Sequence, residues 1–358
     1  MPQTNKYVQY VKSLGFIVIF LILILGLVAS IFIAVTFGNA KIDISDVYGV
    51  IFYEWFHLDG LQQYASGAIH DVVWIIRFPR VLMACTVGMG LAVCGVVMQA
   101  TIKNPLADPY ILGVSSGAAF GATLAVFFGV GAIFGTHAVG VMAFAGAVIS
   151  SIIVLCISSR SGGSDVGRLV LGGIAVSAIC SSFTSFIIFI ANNRNATNEI
   201  MFWTMGSLSG AKWKTVVVVL PIMLVCTSIF WSQFKYLNVM LLGDETAITL
   251  GVDSRKLRRI YMLIASLMVG FAVYAAGVIG FVGLMIPHAI RMVFGTDHKK
   301  IIPMSALVGG IFLIWADILC RIILDHAEMP IGILISVIGA PCFIYMMFKK
   351  SYSFGGKS

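Results

Sequence analysis

Charge is scarce in this sequence. Only 11% of its 358 residues are Asp, Glu, Lys or Arg, while 59% are hydrophobic and the mean hydropathy is +1.01. A soluble domain cannot cover so much apolar surface with so few charges, so the bilayer must be the solvent for most of the chain. No Cys-x-x-C pair occurs, and the seven cysteines sit in or at the ends of apolar runs. They read as small hydrophobes rather than as disulfide partners or metal ligands. His-Glu-x-x-His and the phosphate loop are missing, for the glycine-rich string at 129–135 lies at a span end and lacks Gly-Lys-Ser/Thr; residues 113–117 spell Gly-x-Ser-x-Gly, but at the head of an apolar run rather than between a strand and a helix. No catalytic residue, cofactor site or metal site is therefore expected, and the chain shows no means of using ATP by itself. Nor does a row of carboxylates or histidines cross the apolar runs, as a proton relay requires; His288, isolated after Pro287, reads as structural.

What is abundant is apolar length. A spanning helix needs roughly 20 apolar residues. Ten segments qualify or come close: 14–36, 79–101, 111–131, 137–157, 168–190, 213–232, 260–278, 281–294, 302–321 and 330–348. The expected fold is all-α, a polytopic membrane protein of about ten transmembrane helices forming one domain over 1–358. The first run is too long for the core of a cleaved signal peptide, roughly 7–15 residues, and reads as a retained span. The eighth is short and holds Pro287 beside Gly280 and Gly283, so a kinked or partial crossing is expected there. With the N-terminus in the cytoplasm, sixteen of the 23 Lys and Arg fall inside and seven outside, which obeys the positive-inside rule. Both termini are then cytoplasmic. The net charge of +8 follows from topology and needs no nucleic acid.

The extracytoplasmic loop 37–76 is the longest outside. Within it, a cap at Ser45 and the spacing of Val47, Tyr48, Ile51, Phe52 and Trp55 predict an aromatic amphipathic helix lying at the interface. On the other side, in the region 238–259, Gly243 and Gly251 bracket a piece too short to span, and Asp253 or Ser254 can cap the helix that follows. Two or three short helices joined by tight turns are expected there, either idle or built for a purpose. Gly113, Gly117 and Gly121 make overlapping G-x-x-x-G steps, which predict close helix packing. "GLAVCG" (90–95) and "GFAVYAAG" (270–277) hint at a weak inverted repeat of two halves. Asp317 and Arg321, four apart, can share a face and pair. Arg77, Arg80 and Arg321 all fall outside. From chemistry alone they either anchor helix ends among headgroups or form a docking surface for an acidic partner, orienting it and speeding its arrival.

Several longer stretches carry a resemblance. "RFPRVLMACTVGMGLAVCGVVMQATIKNPLADPYILGVSSGA", "LGDETAITLGV", "AAGVIGFVGLMIPHAIRMVFGTDHK", "ADILCR" and "EMPIGILISVIGAPCFIYMM" occur in this order. They resemble the FecCD-type permeases of iron-siderophore, haem and cobalamin ABC importers, over about residues 14–350. The resemblance implies a homodimer in the cytoplasmic membrane of a bacterium or archaeon, with cytoplasmic ATP-binding subunits and an extracytoplasmic solute-binding protein as partners. It implies that Arg77, Arg80 and Arg321 meet glutamates of that binding protein. It places Gly243, Asp244, Glu245, Leu250 and Gly251 where the ATPase grips the permease. It sets the loop holding Gly162, Gly163 and Gly167 at a cytoplasmic gate. The implied cargo is an iron chelate, ferric siderophore or haem, with cobalamin as the alternative. An ion-coupled secondary transporter stands as a competing class, against the shortage of intramembrane charge. A membrane enzyme is a third, against the missing catalytic constellation.

Overall fold

Within a bilayer the backbone has no partner but itself, so long apolar runs close their hydrogen bonds as helices. The computed structural model describes residues 3–38, 40–159, 166–324 and 327–349, and among them there is no strand. The chain opens with α1 (Gln3–Thr36) and α2 (Ile44–Phe56). A 3-10 turn (Asp59–Tyr64), the short α3 (Ala68–His70) and a π-helical segment (Asp71–Arg77) lead without a break into α4 (Phe78–Ile102). Then come α5 (Val114–Phe128), α6 (Ala138–Ser159), α7 (Val166–Ala191) and α8 (Arg194–Thr204). The second half holds α9 (Trp213–Ser232), α10 (Phe234–Leu241), α11 (Asp244–Thr249) and α12 (Ser254–Ala276). It closes with α13 (Val282–Phe294), α14 (His298–Ile322) and α15 (Ile331–Lys349).

Among the described residues, seven helical stretches are long and apolar enough to cross a membrane; α5, α13 and the apolar part of α15 are shorter. These seven and three occupy the ten segments expected from the sequence. α13 has only 13 residues and carries Pro287 in its interior, in keeping with the short eighth segment. α5 starts later than expected. Gly113 lies ahead of it at φ 73, closing a 3-10 turn over Pro109–Leu112, so this glycine serves a turn rather than the helix seam. Gly117 and Gly121 do serve the seam. A Cβ on either would strike the backbone of α6, at Gly146 and Met142.

α4 runs through the middle of the molecule. All its residues are buried except Leu82, Cys85 and Met89, which lie on one stripe and are half-buried. It packs on α14, α12, α13, α9 and α1. The approach is close because small residues face each other: Gly88 meets Gly309 of α14, and Gly95 meets Gly283 of α13. The two repeat-like strings fall in α4 and α12, which pack together, yet Gly90 faces Met223 whereas Gly270 faces Phe144. α1 and α7 are peripheral, with few of their spanning residues buried within this chain. Of the cysteines, Cys94, Cys226 and Cys320 are buried, Cys85 and Cys180 half-buried, and Cys156 and Cys342 exposed on their helices.

α2 forms where the aromatic spacing predicted, but it is preceded by Asp43 in an extended conformation and already includes Ser45. Val47, Val50 and Ile51 face inward, whereas Phe52, Trp55 and Phe56 remain exposed. Phe32 of α1 meets Tyr48 and Trp55, and Trp55 stacks edge-on against Phe78 at the start of α4. Trp74 and Trp213 complete the cluster, with Trp213 Nε1 donating to the Trp74 carbonyl at 2.7 Å.

Candidate functional site

Two polar constellations stand at opposite ends of α4. A helix of 25 residues rising about 1.5 Å each puts them roughly 37 Å apart.

The first gathers the three arginines. Arg77 ends the π-helical segment, and Arg80 lies in the first turn of α4 directly after Pro79, which falls where the continuous helical stretch 68–102 passes from π to α. Arg321 arrives from the last turn of α14. Their exposures are 4%, 5% and 4%, so all three are buried within the chain. Arg77 donates to the carbonyls of Val35, Thr36 and Ala40. It thereby caps the end of α1, where a cation also meets the negative pole of the helix. Arg321 Nη1 adds a bond to the Phe37 carbonyl at 2.8 Å. Arg80 Nε donates to Asp317 Oδ1 at 2.9 Å, while Arg321 Nη2 lies 3.0 Å from Asp317 Oδ2. The expected pairing of Asp317 with Arg321 is therefore present, and Arg80 shares the same carboxylate. Glu328 completes the group at 2.9 Å from Arg80 Nη1, its side chain 37% exposed. Arg77 and Arg321 thus fasten the end of α1 through backbone carbonyls, and Arg80 ties α4 to α14 through Asp317.

The second constellation lies where α10, α11 and the start of α12 meet the end of α4. The expected short helices form here. Gly243 at φ 109 and Gly251 at φ 77 make the turns that bracket α11, and Asp253 caps α12 by accepting from Lys256 N at 3.0 Å. Asp244 bonds Lys103 Nζ at 2.8 Å and Arg258 Nη2 at 3.0 Å. Partial burial alone would raise its pKa, but the hydrogen bonds from Lys103 and Arg258 outweigh this and hold it down at about 2. Ala247 is buried beneath α11, whereas Glu245, Ile248 and Leu250 stand exposed, the last two at 59% each. Leu242, at 61%, extends this apolar face.

Two polar ties near this end were not anticipated. Gln99 of α4 accepts from Arg291 Nη1 at 2.6 Å and donates to the Leu284 carbonyl at 3.3 Å, fixing α13 to α4. Asn238 of α10 donates to Asp297 and accepts from the His298 backbone, each at 2.9 Å. Both ties join residues tens to hundreds of positions apart, so no local pattern announces them. Gly162 and Gly163 lie outside the described residues; Gly167 is the second residue of α7. His288 is buried. Among the described residues, no three His, Cys, Asp or Glu side chains converge as a metal site would require.

Comparisons with known proteins agree with this architecture. A haem permease, the hemin transport system permease protein HmuU of Yersinia pestis, is 39% identical over 78% of this chain and 84% of its own. The cobalamin import system permease protein BtuC of Halobacterium salinarum is 41% identical over 77% of this chain and 73% of its own. A metal-chelate-type ABC transporter solved in an inward-facing conformation superimposes with a TM-score of 0.80 at 33% identity, covering 93% of this chain and 99% of that one. The model of the FecCD transport family matches residues 23–349, and the chain belongs to that family of ABC-importer permeases.

Proposed function

We propose that this chain is the membrane subunit of an importer for an iron chelate, a ferric siderophore or haem. Two copies would enclose the pathway, and separate cytoplasmic subunits would hydrolyse the ATP. The observation that carries the iron reading is the pair of similarities to a haem permease and to a metal-chelate transporter. The 41% identity to a cobalamin permease favours cobalamin as the second reading. In this reading the arginine constellation and loop 37–76 face outward. The region 238–259 and both termini face the cytoplasm, in a single permease unit over 1–358. Transport is by alternating access, and the chain does no chemistry on its cargo. The segment from Gly162 and Gly163 to Gly167 at the head of α7 acts as the cytoplasmic gate.

Docking of a binding protein is proposed at Arg77, Arg80 and Arg321. The charge balance among the described residues supports this: three guanidinium groups gather there with two carboxylates, Asp317 and Glu328. Asp317 is 1% exposed and locked between two arginines. Glu328 is the accessible one, so an incoming glutamate reaches Arg80 by replacing it. At the other end, Gly243, Asp244, Glu245, Leu250 and Gly251 form the segment through which the ATPase acts. A short rigid element there passes a rigid-body movement to the spans it joins.

The deciding experiment is uptake in a deletion strain and its complemented parent, with radiolabelled ferric siderophores, haem and cobalamin. Loss of one iron chelate alone is expected. Loss of cobalamin alone would replace the iron reading with the vitamin, and retention of all of them would sink both.

A further inference from the structure

α11 spans six residues, too few to hold a helix by propensity. It is bracketed by two glycines at positive φ, and it contributes one buried side chain, Ala247, to the core. Something else must set its angle to the bundle. The candidate is the first residue of the helix. Asp244 Oδ1 accepts from both Lys103 Nζ and Arg258 Nη2, and Oδ2 accepts from Arg258 as well. Lys103 ends α4, where its own φ of 55 turns the chain away. Arg258 sits in the second turn of α12, 2% exposed, and its Nε donates to the Thr101 carbonyl at 3.1 Å. The last turn of α4, the start of α12 and the head of α11 therefore meet in one knot of charge-assisted bonds. Both oxygens of Asp244 are taken inside the chain. The large apolar side chains left open around α11 are Leu242 before it, Ile248 within it and Leu250 at its end, beside exposed Glu245, Thr246 and Thr249.

We propose that Asp244 is a positioning residue that fastens α11 to α4 and α12, so that these three move as one body and the ATP-binding subunit bears on Leu242, Ile248 and Leu250. The proposal rests on the ATP-coupled reading above and divides the labour within that segment. Asp244 holds it from inside, and the leucines and isoleucine meet the partner. It also makes α4 the common member of both constellations, because the same buried helix carries Arg80 near its other end.

The test is hydrogen–deuterium exchange on the full-length permease in lipid nanodiscs. In Asp244→Asn, which removes the charge and keeps the shape, amides 244–252 are expected to exchange roughly three- to ten-fold faster, while α4 stays protected. Asp244→Glu, which keeps the charge, should hold exchange nearer to that of the native protein. Lys103→Met should accelerate the same amides, and adding it to Asp244→Asn should bring little further change, since both remove one interaction. Unchanged exchange in Asp244→Asn, or fully additive effects of the two substitutions, would overturn the proposal. The measurement needs no partner. Should no ATP-binding subunit be retained by the native permease, the functional reading fails and the exchange result still decides the fastening.

Discussion

Asp317 accepts from Arg80 at both oxygens and pairs with Arg321 through Oδ2, and it is almost wholly buried. Asp317→Asn would leave two buried guanidinium groups short of a counter-charge. A loss of about 3–5 kcal/mol is expected, because breaking a buried pair strands the remaining charge. Thermal unfolding of the solubilised protein measures it. Glu328→Gln acts on a side chain open to water, so its stability cost is expected to be under about 1 kcal/mol. On the docking proposal this variant holds the binding protein more tightly, which surface plasmon resonance on the nanodisc-embedded permease would read; weaker capture would count against exchange with Glu328. Asp244 carries its own pH signature. Its folded pKa, about 2, lies below the ordinary aspartate value of 3.8, so its contribution is complete above the higher value and fades as pH falls through the lower. Exchange at 244–252, corrected for intrinsic rates, should accordingly be flat between about pH 5 and 8. The sequence displayed the Asp317–Arg321 pair because four positions make one helix turn. It could not display Arg80 with Asp317, which are 237 positions apart, and so the arginines looked exposed when they are buried.

Helices meet in this molecule where glycine permits. Gly95 lies so close to Gly283 that any Cβ would overlap the α13 backbone, which has no flexible end to give way. Gly95→Ala is therefore expected to cost at least about 3 kcal/mol, at the upper end of overpacking penalties. Gly60→Ala, with open space around it, is the matched control. A thermal shift in the first and none in the second is the expected result; equal shifts would mean that α4 and α13 can part without penalty. At this scale the sequence was readable wherever the signal is local. Gly243, Gly251 and Asp253 announced the turns and the cap around α11 within a dozen residues. It was less readable where backbone geometry departs from habit. Phe281 takes φ 62 just before α13, an unusual conformation for a bulky residue that sets where this short helix begins. The π-helical turn at Asp71–Arg77 has no composition of its own, so the span appeared to start only at 79. Asp43, rather than Ser45, precedes α2 because the helix admits Ile44 and Ser45 into its first turn.

Taken whole, the chain surrounds one buried helix with others, two of which, α1 and α7, bury few of their spanning residues within this chain. The apolar run lengths made that architecture legible, and the sided distribution of Lys and Arg gave it a direction. Orientation is checked with reporters. A fluorescent protein fused at the C-terminus should glow and alkaline phosphatase there should be silent, while phosphatase inserted near Gly60 should be active. The reverse pattern would invert the assignment of both ends. The distance along the chain between Arg80 and its partner reaches into biogenesis as well. Translation at about 5–20 residues per second separates residues 80 and 317 by on the order of 10–50 s. At the start of that interval α4 exists without α9, α12, α13 and α14, and throughout it Asp317, the buried carboxylate that pairs with Arg80, has not been made. The nascent chain must keep its arginines at the lipid–water boundary or within the insertion machinery until the ninth apolar segment arrives. Quality control thus acquires a simple criterion for an unfinished molecule: an arginine still facing water at the head of α4.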